Sequence, residues 1–209
     1  MPMAGKIQRS KSRFGGFSLI ELLIVLGLII VMMTMLWGRS SRAYQIRQMS
    51  ACEKNLQTIL VALKTFSIDH NNNYPLLTNA MTSEPVLSLL IPRCTTGTEY
   101  FICPGGHDPA LPAALPFTNA NQRISYAYYM GHTAADGADQ PLLSDRQIDT
   151  LPKGVGSPLF SRDGKRPGNN HYSYGGNVLF CDGYIQRNGR RADTNMPIGT
   201  NITLLNPLP

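Results

Sequence analysis

From Phe17 to Trp37 the chain reads FSLIELLIVLGLIIVMMTMLW, a 21-residue apolar run in which Glu21 is the one ionisable group. At ~1.5 Å rise per residue, such a helix covers about 30 Å, the thickness of a bilayer's hydrocarbon core. The run therefore predicts a membrane-embedded helix over residues 17–37. Lys6, Arg9, Lys11 and Arg13 precede it and are expected on the cytoplasmic side. Arg39, Arg42 and Arg47 follow it, so the charge bias is weak. An ordinary secretory signal is cut after its apolar core, but here the small pair Gly15-Gly16 lies ahead of it. Cleavage at that point removes residues 1–16 as a leader and keeps the helix.

Glu21 calls for a partner. A carboxylate near a helix end in a bilayer costs on the order of 1–3 kcal/mol, more if unpaired. If the chain is cut between Gly16 and Phe17, the new α-amino group lies four residues from Glu21, about one turn or ~6 Å. The same pairing between neighbouring subunits would set their axial register, because a mismatched Glu21 stays a lone charge in lipid. The plainer alternative is a single-span anchor whose Glu21 snorkels to the headgroups.

Lys11-Ser12-Arg13-Phe14-Gly15-Gly16-Phe17-Ser18-Leu19-Ile20-Glu21-Leu22 closely resembles the class III prepilin signal: a basic leader, Gly before the cut, Phe first and Glu fifth. The resemblance implies processing by a membrane aspartic prepilin peptidase at Gly16, N-methylation of Phe17, and a role for Glu21 in assembly with other pilin or pseudopilin subunits. It also implies an inner-membrane assembly platform as partner, and an inner-membrane, single-pass location with the C-terminal domain periplasmic.

Beyond Trp37 no early breaker appears, and Leu56, Ile59, Leu60, Leu63 and Phe66 repeat at helical spacing. The helix is expected to run to about His70, where Asn71-Asn72-Asn73-Tyr74-Pro75 ends it. Unbroken from Phe17, it would be ~80 Å long. One small domain can bury only its distal half, residues 38–72. The remainder is left for lipid and neighbouring helices. Asn55-Leu56, Ala62-Leu63 and Asn73-Tyr74-Pro75 are similar to the helix end of type II secretion pseudopilins.

Residues 73–209 read as short segments broken by turn residues, in a body with nineteen Gly and fifteen Pro against seven Phe and one Trp over the whole chain. Pro85–Leu90 is a candidate short helix. Arg123–Met130 and Pro141–Asp145 are candidate strands. Asn177–Cys181 and Tyr184–Arg187 flank Asp182-Gly183, which predicts a β-hairpin over 177–187 with a two-residue turn. Asp182 is thereby a turn residue rather than a catalytic one. The tail resembles proteins described as prepilin-type H-x9-DG domains, through His171, Asn177-Val178-Leu179-Phe180 and Asp182-Gly183. Cys103-Pro104 and Ser125-Tyr126 fit that group as well. Here ten residues rather than nine separate His171 from Asp182.

The pI near 9.3 invites a nucleic-acid reading. It fails once the charge is divided: residues 1–50 carry seven basic groups and one acid, whereas residues 51–209 carry twelve of each. The excess belongs to the flanks of the apolar run. The small cluster Arg187, Arg190 and Arg191 reads as a solvated turn, so no nucleic-acid partner is expected.

Cys52, Cys94, Cys103 and Cys181 fall on the extracytoplasmic side and allow three complete pairings. Cys94 with Cys103 closes a short loop and is the preferred disulfide, adding roughly 2–3 kcal/mol on the chain-entropy model. Cys94, Cys103 and His107 have no standard zinc spacing. Asp136, Asp139 and Asp145 surround a Gly-containing loop, and because major pseudopilins often bind calcium in a C-terminal loop, the resemblance makes these three the weak candidates for structural calcium. Without EF-hand spacing, a solvated acidic loop is the plainer reading. No cofactor is otherwise expected. No nucleophile elbow, P-loop or dinucleotide fingerprint is present, so catalysis is not expected.

The expected fold is α+β and pilin-like, with a long N-terminal helix whose distal half packs on a small antiparallel sheet. The expected function is assembly into a secretion pseudopilus or pilus-like filament. The alternative is a monomeric, membrane-anchored periplasmic binding or enzyme domain.

Overall fold

The computed structural model describes residues 18–117, 121–154, 156–188 and 201–209. The chain divides into an N-terminal unit ending at Arg42 and a body from Ala43 to Pro209. A single helix, α1 (Leu19–Asp69, 51 residues), contributes to both.

In the N-terminal unit the Leu19–Leu36 window has a mean hydropathy of 2.8, and none of it is buried within the chain. Leu23, Met32 and Met35 all expose more than half of their surface. An apolar stretch of 18 residues exposed on every side needs a covering medium, and its length suits one bilayer crossing.

The body part of α1 behaves differently. Gln45, Met49, Cys52, Leu56, Ile59, Leu60, Leu63 and Ser67 are buried at three- and four-residue steps, one stripe along the helix. The helix ends where Asn71 and Asn72 adopt left-handed conformations, with φ of 53° and 63°. Asn72 N–H closes onto Ser67 O at 2.9 Å, and Asn73 Nδ2 donates to His70 O at 3.1 Å. Asn tolerates the left-handed region better than most residues, which is why the triple Asn stops the helix there.

After a short helix α2 (Ser83–Leu87), continued as a 3-10 turn over Ser88–Leu90, and another 3-10 turn at Thr98–Phe101, the body forms one antiparallel sheet. Its strands are β1 (Tyr126–Met130), β2 (Pro141–Asp145), β3 (Gly176–Phe180), β4 (Ile185–Asn188) and β5 (Thr203–Leu205), in the order β4-β3-β2-β1-β5. Strand alternation divides the core. Tyr126, Tyr128, Met130 and Leu179 face the buried stripe of α1, whereas Ala127 and Tyr129 pack with Leu204, and Val178 packs with Leu159 and Phe160. The central strands are thus covered on both faces.

The architecture is α+β and pilin-like: one long N-terminal helix and a small antiparallel sheet. Two details differ from the sequence reading. The hairpin loop has three residues, Cys181, Asp182 and Gly183, rather than two: Leu179 pairs with Ile185, and Phe180 N–H donates to Tyr184 O at 2.9 Å. Gly183, at φ +94°, supplies the left-handed residue that follows a type I turn in such a loop. The second is β5, an edge strand on β1 that the sequence reading did not anticipate.

Candidate functional site

The sequence reading places function at two levels, an N-terminal assembly segment and residues of the body. Gly16 and Phe17 lie outside the described residues, as do Arg190 and Arg191. Leu22 N–H donates to Ser18 O at 3.1 Å, so the helical turn begins at Ser18. Glu21 sits in this first turn, exposed, as the acidic residue there. A carboxylate at that position faces the positive end of the helix dipole. A Cβ built on Gly27 meets nothing within 4 Å, so the helix also carries an open notch where a second helix can approach closely.

In the body, the expected Cys94–Cys103 disulfide is replaced by Cys52–Cys103, with a Cα–Cα distance of 5.4 Å, and Cys94 is a half-buried free thiol. The cause is tertiary. Cys52 lies on the buried stripe of α1, and Asn55, three residues further on, donates from Nδ2 to Ile102 O at 3.0 Å, which ties the Ile102–Cys103 peptide to the helix. Cys181 is the other free thiol, buried in the loop just after β3.

The three acids Asp136, Asp139 and Asp145 are not brought together at one point. Asp136 accepts from His132 Nδ1 at 2.6 Å and from Thr133 Oγ1 at 2.7 Å. Asp139 accepts from Gln140 Nε2 at 3.4 Å. Asp145, at the opposite end of β2 from that loop, is fully buried, and accepts from the Asn177 N–H at 2.7 Å and from Asn170 Nδ2 at 3.3 Å. Residues that looked adjacent in sequence are parted by the length of β2.

Asp145 joins another group. The sulfurs of Cys52 and Cys103, a carboxylate oxygen of Asp145 and an imidazole nitrogen of His171 all lie within 4.8 Å of one another, and all four residues are buried. His171 Nε2 is 3.3 Å from Asp145 Oδ2 and 3.5 Å from Cys103 Sγ. These residues come from α1, the loop after the second 3-10 turn, the end of β2 and the turn before β3. No local spacing could have signalled the grouping. Beside it, Asp108 accepts from Arg146 Nη2 at 3.1 Å and from Ser125 Oγ at 2.6 Å, a buried pair that pins the loop after Cys103 to the sheet.

A family model described as the prokaryotic N-terminal methylation motif matches residues 11–37. No curated protein and no solved structure matches the chain. The motif covers Lys11 and Arg13, the Gly15-Gly16-Phe17 junction, Glu21 and the whole apolar run. Over residues 11–37 the chain thus carries a prepilin-type N-terminal signal, which lies on an apolar helix and precedes an α+β, pilin-like body.

Proposed function

We propose that this chain is a structural subunit of a type II secretion pseudopilus or a type IV pilus-like filament, cut after Gly16 by a prepilin peptidase and N-methylated at Phe17. Before assembly it is stored in the inner membrane through residues 17–37, with the body on the periplasmic side. An assembly platform then draws it into a helical bundle with other subunits. The observation that carries this reading is the methylation motif at residues 11–37 lying on a helix whose Leu19–Leu36 stretch has no cover among the described residues.

The physical mechanism is exchange of lipid for protein around that helix. Apolar helices gain little hydrophobic energy by leaving lipid for one another, so their association rests on close packing and on polar pairs. Glu21 supplies the polar pair: its carboxylate meets the α-amino cation of Phe17 on a neighbouring subunit, and the stagger that aligns them is the one that leaves no lone charge in lipid. Methylation keeps that amine cationic. The role is structural, and no step of it requires catalysis by this chain.

Intact mass and N-terminal sequencing of the chain from membranes containing a prepilin peptidase test the processing. A methylated chain beginning at Phe17 is expected. A chain that retains residues 1–16 defeats the proposal and favours a monomeric anchored domain. Glu21→Ala tests assembly: filaments are lost while the melting of the body is unchanged. Filaments formed normally by Glu21→Ala would remove Glu21 from the mechanism.

A further inference from the structure

We propose that the buried group Cys52, Cys103, Asp145 and His171 is a closed tetrahedral zinc site when the Cys52–Cys103 bond is reduced. The chain thus has two alternative staples at one point, a disulfide or a zinc ion.

The geometry rests on the corners that do not involve the sulfur–sulfur bond. Zinc bonds of about 2.0–2.1 Å to nitrogen and oxygen and about 2.3 Å to sulfur place tetrahedral corners about 3.3 Å apart for nitrogen–oxygen and about 3.5 Å for nitrogen–sulfur. His171 Nε2 lies 3.3 Å from Asp145 Oδ2 and 3.5 Å from Cys103 Sγ. Two thiolates, one imidazole and one carboxylate are a donor set suited to zinc, and complete burial leaves no open position for water, as in structural rather than catalytic sites.

The carboxylate is held in place from outside the group. Asn177 N–H and Asn170 Nδ2 both donate to Asp145, in the manner of the outer partners that orient a metal's ligands. His171 has an unresolved polar conflict. Its Nδ1 is buried with no hydrogen-bond partner among the described residues, and it lies so close to Gly105 that a Cβ there would sit 2.6 Å from it. If Nε2 carries the proton, Nδ1 is a buried acceptor without a donor. If Nδ1 carries it, Nδ1–H is a buried donor without an acceptor among the described residues, and the Nε2 lone pair faces a carboxylate oxygen across 3.3 Å. A cation bound by both atoms turns that second arrangement from repulsive to attractive.

The chemistry balances simply. A thiol reductant, oxidised in turn to its own disulfide, supplies two electrons and two protons and leaves Cys52 and Cys103 as thiols. Zinc then takes the place of both thiol protons, which pass to solvent. Because the group is buried, loading accompanies folding of the reduced chain rather than entry into the closed body.

The test uses the full chain in detergent, with Cys94→Ser and Cys181→Ser in place so that Cys52 and Cys103 are the only thiols. The chain is unfolded, reduced with a phosphine, freed of reductant, and refolded without oxygen in the presence of Co2+ and then Zn2+. One Co2+ per chain is expected, with thiolate charge-transfer absorption and the intense visible bands of a tetrahedral ion, displaced by Zn2+. The disulfide-bonded chain should show neither. Asp145→Asn and His171→Gln should each weaken zinc binding by more than the roughly 10–100-fold that outer-partner substitutions cost. An octahedral or absent cobalt spectrum overturns the proposal, as does unchanged binding in both variants. If a variant fails to refold, X-ray absorption of the zinc-loaded unsubstituted site decides: two sulfur and two nitrogen or oxygen neighbours are required, and any other shell overturns it.

Discussion

Arg187 on β4 clasps Glu53 on α1: its Nε donates to the Glu53 carboxylate at 3.1 Å while its Nη2 donates to Ser50 Oγ at 2.9 Å. The pair joins the last hairpin to the helix and lies at the surface of the body, with side-chain exposures of 44% and 30%. Water and salt screen it, so its contribution is modest despite the two-point contact. A double-mutant cycle with Arg187→Ala and Glu53→Ala is expected to give a coupling of about 0.5–1 kcal/mol that shrinks at high salt. A coupling well above that range would mean that the hairpin depends on this clasp rather than on the Leu179 side of the core.

The Cys52–Cys103 bond spans a sequence separation of 51. On the chain-entropy model a loop of that size contributes about 4 kcal/mol, more than the shorter Cys94–Cys103 loop would have. Cys103→Ser in the oxidised, metal-free chain should lower stability by a few kcal/mol and release one new titratable thiol, from Cys52. Cys94→Ser should leave the disulfide and the melt unchanged. Thermal or denaturant melts read the stabilities and peptide mapping under non-reducing conditions reads the pairing, and a Cys94–Cys103 peptide would contradict the structure.

The two remaining thiols should differ in reactivity. Burial pushes the Cys181 thiol up to about 12, with Asp136, Asp182 and Asp139 adding to the effect. Burial, and then Asp69, also raises the Cys94 thiol, but Cys94 is only half-buried. Since the thiolate is the nucleophile, iodoacetamide at pH 8 should label native Cys94 slowly and Cys181 far more slowly still. Unfolding should bring both to one rate. Mass spectrometry of timed samples reads the difference, and faster labelling of Cys181 would contradict its burial.

Asp136 ties the turn after β1 together. Partial burial works to raise its pKa, but hydrogen bonds from Thr133 and His132, with the His132 charge, outweigh that and lower it. A carboxyl depressed by folding contributes stability above its unfolded value of about 4, and that contribution is lost as pH falls through the lower folded value. Asp136→Asn should therefore cost about 1 kcal/mol at pH 7, with the difference from the parent body shrinking below pH 4. Denaturant titrations at pH 7 and at pH 3 check the sign. A difference that grew on acidification would refute it.

Local features were legible in the sequence because their physics is local. The methylation signal, the apolar run, the burial stripe at helical spacing, the Asn71–Asn73 stop and the strands flanking Asp182-Gly183 all follow from residues within a turn or a hairpin of one another. The three-residue hairpin loop was missed because Cys181 is as compatible with the end of a strand as with a turn, and only the pairing of Leu179 with Ile185 distinguishes the two.

The tertiary structure decided what joins distant residues. Cys103 met Cys52 rather than nearby Cys94 because Asn55 ties the Cys103 segment to the helix. Asp145 left the acidic loop for His171 because five residues of strand carry it to the other end of the sheet, where the Asn177 N–H holds it. Strand β5 became visible only through its register with β1, Leu204 opposite Tyr129. Sequence by itself determined which stretch of this chain is long and apolar enough to cross a membrane and where its helix stops, since those are properties of a helix and its solvent. Packing determined which buried polar groups share one site, since that depends on contacts between elements that no spacing along the chain encodes.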